Sequence, residues 1–438
     1  MPLLRKLLVL PEDLEASAEL LSGERVDAML ILDDGAYGSI DGRRSLLALC
    51  ETCAYEAGFH IWLYDRSAPW VVPEGLAVHT GVVDGVLGTE VWPHTLRYVD
   101  ADGEPVEGGS IRVASRALRL QPWNPLAGSD GSYDRQIITA TLDRPFAVDP
   151  ATGLPMPMWA ESATVEIGEG SPVRVASEWC DLAVSSDLEV PADAWSDWDA
   201  GSQEFVTAGA RFPGGGTARS RVTVRFPDDL WTRRWHDGSA FSPADCVLAL
   251  ILRLDRAKPD STVYDESAVA GFETLMADFR GLRILSLEPF EVEVYTDRLR
   301  LDAEAMASDA ASLIWPVYAT GPGPWHTVAL GILAEEAGLA AFSNAKANSL
   351  GVDWLCHLGG PTLQILLEML ADAQRTDYVP YRDVLESCGA LSEVEERYEN
   401  LFGFASTYGH LWIGNGPIMI DCVDLVARII CGRRASDY

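Results

Sequence analysis

The chain has 438 residues, 48% of them hydrophobic and 23% charged, a globular composition that allows two or three domains at the usual size of roughly 150 residues each. Sixty-six acidic residues against 33 basic ones leave a formal net charge of −33. Self-repulsion on that scale excludes nucleic acid and anionic membrane surfaces as partners and favours solubility.

The N-terminal MPLLRKLLVLPEDLE places two basic residues beside an apolar run that Pro11 and several acids cut short, so it does not read as a secretion signal. No apolar run reaches the roughly 18 to 20 residues that a membrane span needs. Helical spacing covers residues 12 to 22 and 43 to 57, and VDAMLIL and HIWLYD read as short strands, so the first hundred residues are mixed α/β. Gly, Pro and acidic residues cluster at YVDADGEPVEGG, residues 98 to 109, as in a surface connection. From Ser110 onward SIRVA, TVEIG, VRVA, SRVTVRF and FEVEVYTD suggest strands. One helix interrupts them at about 243 to 256: Ser242 caps it, Pro243 takes the first helical position, and Asp245 sits in the first turn, where the helix dipole favours a carboxylate. After residue 302 the pattern turns to amphipathic helices in ILAEEAGLAAFSNAKA, GPTLQILLEMLADAQ and LSEVEERYENLFGFASTYG. The expected units are an α/β segment over 1–106, a sheet-rich lobe over 107–302 and a mainly helical portion over 303–438.

Eight cysteines are scattered, most of them in apolar surroundings, and read as buried thiols rather than a disulfide framework. Cys50 and Cys53 form one CxxC inside LLALCETCAYEAG, a helical pattern with no strand before it and no second ligand pair, so neither a redox motif nor a zinc site is expected. The seven histidines are dispersed, and HExxH, GxSxG and GxxxxGK[ST] are all lacking. No catalytic residue, metal or cofactor is therefore assigned.

Several segments together resemble the family 5 extracellular solute-binding proteins, the receptors of oligopeptide, dipeptide and nickel ABC importers. GGSIRVASRALRLQPWNPL, 108 to 126, is similar to their opening strand and the loop after it. DRPFAVDPATGLPMPMWAES, 143 to 162, resembles the stretch in which Asp, Gly and Pro turns precede an Ala-Glu-Ser. WHDGSAFSPADCVLAL, 235 to 250, resembles their turn followed by a capped helix, and YGHLWIGNGPIMIDCVD, 408 to 424, a segment of the larger members. Residues 12 to 100 look like closing parts of the two lobes, an order that fits a long divergent member read from an internal start, or a permuted chain. The resemblance implies a periplasmic-binding-protein-like type II fold, with two α/β lobes of mixed sheet and helices closing by a hinge and a C-terminal helical portion.

Within WHDG, neighbouring His236 and Asp237 point apart, so Asp237 and Gly238 read as a tight turn with Trp235 packed beneath it. Candidate ligand contacts are aromatic or amide residues in loops after strands: Trp123 and Asn124 in QPWNPL, Trp62 and Tyr64 in HIWLYD, Trp315 and Tyr318 in IWPVY, and Asn415 in the glycine-flanked WIGNG. Residues 319 to 324, ATGPGP, form a candidate hinge loop.

The resulting expectation is a monomeric receptor of an ABC importer that takes a small polar solute, a peptide or oligosaccharide, and presents it to membrane permease subunits in an extracytoplasmic compartment. The rivals are an extracellular hydrolase with paired carboxylates and a non-binding fragment that lacks half its cleft.

Overall fold

The computed structural model describes residues 40–56, 75–77, 90–112, 121–388, 393–424 and 426–435. Helix α1 (Ile40–Glu56) carries the CxxC, in line with its helical spacing. Leu76–Ala77 (β1), Arg97–Val99 (β2) and Pro105–Val106 (β3) form a small antiparallel sheet. The acidic stretch from 98 to 109 is thus a hairpin rather than a bare connection, and the Asp100 carboxylate closes its turn by accepting the Asp102 and Glu104 N–H groups at 2.9 Å. The helix expected at 12 to 22 and the strands VDAMLIL and HIWLYD lie outside the described residues.

Alternation of period two builds the main sheet. Its strands are Ser162–Ile167 (β4), Cys180–Val184 (β5), Trp195–Asp199 (β6), Glu204–Thr207 (β7), Ser220–Arg225 (β8), Phe279–Leu287 (β9) and Phe290–Thr296 (β10). They lie in the order β7-β6-β9-β10-β8-β4-β5, antiparallel throughout except that β4 and β5 run parallel. β8 sits between β10 and β4, and the alternating Val222, Val224 and Val165 are fully buried on one face. TVEIG, SRVTVRF and FEVEVYTD fall on β4, β8 and β10. VRVA does not form a strand: the N–H groups of Ala176 and Ser177 go to the Glu304 carboxylate at 2.7 Å, which replaces a neighbouring strand as their acceptor.

The helix foreseen after Ser242 is α2 (Pro243–Asp255), and eleven of its thirteen residues are buried. A helix covered on so many sides needs several partners: β6, Ala303–Ile314 (α3) and Trp325–Glu336 (α4) all pack against it. α3 also lies on β4 and β8, while Pro361–Thr376 (α5) and Val394–Tyr408 (α6) pack on α4. One cluster of buried side chains runs from Trp123 to Ile420, so the helices after residue 302 share their core with the sheet. The single helix expected over ILAEEAGLAAFSNAKA is interrupted. α4 ends at Glu336, Gly338 adopts φ +67°, and Ser343 caps a separate helix, Asn344–Leu350, by accepting the Lys346 N–H at 3.1 Å.

Ile418–Asp424 (β11) and Ile429–Arg434 (β12) form a closing hairpin. Its register sets Cys422 opposite Cys431 with Cα atoms 4.9 Å apart, and the two sulfurs are bonded. This corrects the reading of every cysteine as a thiol: antiparallel pairing, not composition, brings these two together. Cys180 and Cys246 remain core thiols. The described residues thus form a mixed α/β body around a seven-stranded mixed sheet. No helix among them is long and apolar enough to cross a membrane.

Because Leu248 on α2 has no exposed surface, Leu248→Ala is expected to cost about 2–5 kcal/mol of unfolding free energy. A urea titration followed by circular dichroism checks this through the midpoint.

Candidate ligand-binding cleft

The WHDG turn is held by its own backbone and by distant side chains. Gly238 takes φ +90° and donates its N–H to the Trp235 carbonyl at 2.9 Å. His236 and Asp237 diverge, as adjacency on a turn dictates. His236 Nε2 donates to the Gly416 carbonyl at 2.8 Å, whereas Asp237 Oδ2 lies 2.8 Å from His326 Nε2 and Asp237 Oδ1 accepts the Ser239 N–H at 3.0 Å.

A buried chain of charge continues from there. Arg397 Nη1 lies 3.2 Å from His326 Nδ1, and since a guanidinium only donates, Nδ1 must accept and Nε2 carries the proton given to Asp237. Arg397 also grips both oxygens of Asp245 at 3.0 Å. Asp245 further accepts the Trp325 N–H at 2.8 Å, the Ser242 N–H at 2.9 Å and Trp235 Nε1 at 3.2 Å. One carboxylate therefore ties the turn, the cap of α2, the start of α4 and α6 to a single point.

The glycines of WIGNG serve close backbone approach. A Cβ at Gly414 would lie 1.9 Å from the Thr141 carbonyl, and one at Gly416 2.4 Å from the Leu142 nitrogen. Asn415 sits between them and clamps Asp143, accepting its N–H at 3.0 Å and donating to its carbonyl at 3.2 Å. Three histidines packed into this region are kept neutral by burial. The pKa values of His236, His357 and His410 are all lowered to about 4, mainly by desolvation. His410 is fixed between the Trp412 N–H and the Ile420 carbonyl, each at 3.2 Å.

Around the WHDG turn opens a cleft of 770 Å³, within the range of about 300–1,000 Å³ usual for small-molecule sites. Met158 and Trp159 form part of its lining, with Arg233 to His236, Tyr408, Asn415, Gly416 and Met419. The last strand adds Arg433 and Arg434. Arg233 lies over the Trp159 ring at 4.5 Å and Arg433 over the Tyr408 ring at 5.4 Å.

Of the residues singled out from the sequence, Asn415 lines this cleft. Trp123 is buried edge-on against Trp412 at 5.2 Å, and Asn124 donates to the Phe342 and Leu355 carbonyls at 2.9 and 3.0 Å. Asn124 Oδ1 accepts the Ala127 N–H at 2.9 Å, turning the chain at Pro125. Trp315 stacks on Phe226 and donates to the Asp143 carbonyl at 2.8 Å. Tyr318 is buried, and burial raises its phenol pKa. These four belong to the core beneath the cleft rather than to its lining. Trp62 and Tyr64 lie outside the described residues. The ATGPGP loop is packed, not free: Thr320 Oγ1 donates to the Asn124 carbonyl at 2.8 Å, and a Cβ at Gly321 would meet Trp412 at 2.3 Å.

The arginines of the lining were missed in the sequence, although they form two of its three Arg-Arg pairs, 233–234 and 433–434, the third being Arg43–Arg44. Among the described residues one group of ligand-type side chains gathers closely, Asp421 with Cys422 and Cys431, and its sulfurs are bonded to each other. No protein-family model matches the chain, and a search of curated proteins finds no match.

Arg397→Met leaves Asp245 charged and buried without its cation, so a loss of about 3–5 kcal/mol is expected in denaturant unfolding. The histidines set a second expectation. Folded values near 4 lie below the ordinary 6.5, so the unfolded chain binds more protons between the two. The stability they contribute is whole above pH 6.5 and drains as the pH falls toward 4. Melting temperatures taken across this window should drop steeply, and His357→Leu should make the slope shallower.

Proposed function

We propose that this chain is the solute-binding receptor of an ABC importer, taking a peptide, oligosaccharide or other small polar solute between two lobes of a type II binding fold. The observation that carries the reading is convergence. Three segments that resemble family 5 receptors, 143 to 162, 235 to 250 and 408 to 424, all contribute to one cleft, through Trp159, Trp235 with His236, and Asn415 with Met419. The fourth, ending at Leu126, packs directly beneath through Trp123 against Trp412. Residues so far apart in sequence meet around a turn whose His and Asp are each committed to scaffold bonds.

In this reading the sheet and its helices supply one wall, a second lobe closes over the cleft, and permease subunits recognise the closed form. The Cys422–Cys431 disulfide favours an oxidising, extracytoplasmic compartment. A hydrolytic alternative needs two carboxylates flanking the scissile bond, and Asp229 is the one carboxylate in the lining described.

A thermal-shift screen of peptides and oligosaccharides tests the proposal. A true solute at about 100 times its dissociation constant is expected to stabilise the protein by about 2.7 kcal/mol and to be recovered intact by mass spectrometry. A flat response across the library, or a cleaved solute, overturns the receptor reading.

A further inference from the structure

The cleft is electrically the opposite of the molecule that contains it. The chain carries two acids for every base, 66 to 33, yet among the described residues the lining holds Arg233, Arg234, Arg433 and Arg434 against Asp229 alone. Several arginines elsewhere are neutralised at close range, as Arg221 is by Glu166, Arg256 by Asp265 and Arg280 by Asp297.

Three of those in the cleft are held differently. Among the described residues, none of Arg233, Arg234 and Arg433 forms an ion pair. Arg233 is braced by the Trp159 ring, Arg234 donates to the Gly238 carbonyl at 2.7 Å, and Arg433 lies against Tyr408 and donates to its hydroxyl. Rings and neutral oxygens orient a guanidinium without cancelling its charge, so donors are left for an incoming anion. The two arginine pairs come from segments about 200 residues apart, and the disulfide pins the hairpin that carries the second pair. His236 lines the same cleft half-buried, its Nε2 donating to the Gly416 carbonyl, and brings no negative charge to the lining.

We infer that this cleft binds a small anion carrying at least two negative charges, a polycarboxylate or a phosphorylated solute, gripped between Arg233–Arg234 and Arg433. The inference rests on the receptor reading and narrows its solute class. Charge-assisted bonds to guanidinium are the strong, geometrically selective kind, and a cationic cleft within an anionic surface admits such a solute while the surrounding field repels acidic macromolecules.

The test is isothermal titration of the full chain with citrate, inorganic phosphate and glucose 6-phosphate, and with maltotriose and C-terminally amidated trialanine as solutes lacking an anionic group. Binding of citrate or of a phosphate compound is expected, and which of them binds separates carboxylate from phosphoryl chemistry. Affinity is expected to fall about tenfold in each of Arg234→Gln and Arg433→Gln and to weaken as salt is raised. Arg433 is exposed on the last strand, so Arg433→Gln reads the site even if Arg234→Gln perturbs the turn, and unchanged melting temperature confirms its fold. If the solutes without an anionic group bind and the anions do not, the anion inference fails and the receptor reading stands. Anion binding unaffected by both substitutions also overturns it, while silence from every solute removes both.

Discussion

The architecture hangs on one buried carboxylate. Asp245 lies in the first turn of α2, where the helix dipole already favours a negative charge, and it accepts from Ser242, Trp235, Trp325 and both arms of Arg397. Four parts of the chain that lie up to 162 residues apart, from Trp235 to Arg397, therefore meet at two oxygen atoms. Ions taken out of water are costly unless their remaining donors and acceptors are filled. Here Arg397 passes its second contact to His326, and His326 passes its proton toward Asp237. A conformation that displaced any one of these groups would strand the others in a low-dielectric interior, which gives the turn, α4 and α6 a single mutual geometry.

The cleft follows from that geometry. Fixing Trp235 and Asp237 inward leaves Arg233 and Arg234 on the preceding residues, where the 3-10 turn Leu230–Thr232 delivers them to the opening. His236 leaves the turn toward the WIGNG loop, whose glycines let it lie flat against residues 141 to 143. The same loop leads into β11, and the cross-linked β12 returns Arg433 and Arg434 to the same opening. Among the described residues Arg233, Arg234 and Arg433 form no ion pair, in contrast to the arginine–carboxylate pairs on the sheet.

Much of the framework was legible in advance. β4, β8 and β10 were visible because alternation of period two reports a strand with one buried face, and α2 was visible because Ser242, Pro243 and Asp245 state its start chemically. The division of His236 from Asp237 was legible too, since neighbouring side chains on a tight turn cannot converge. VRVA was misread because Glu304, 128 residues downstream of Ala176, captures the amide at its end, and its pairing stops at a single bridge between Arg174 and Asp302. Trp123, Asn124, Trp315 and Tyr318 sit in loops, where exposure is the ordinary expectation, yet the ATGPGP and WIGNG loops fold over them and draw them into the core.

The sequence by itself determined the elements, because helix spacing, strand alternation and capping are local properties written within a dozen residues. It also determined the acidic balance of the whole molecule, which is a sum and needs no arrangement. Tertiary structure alone decided that Cys422 faces Cys431, that His326 and Arg397 complete the network at Asp245, and that two arginine pairs share an opening with Trp159 and Tyr408. Each of these is a meeting of distant segments, and a charge or a thiol carries no label of its partner until packing sets the distance between them.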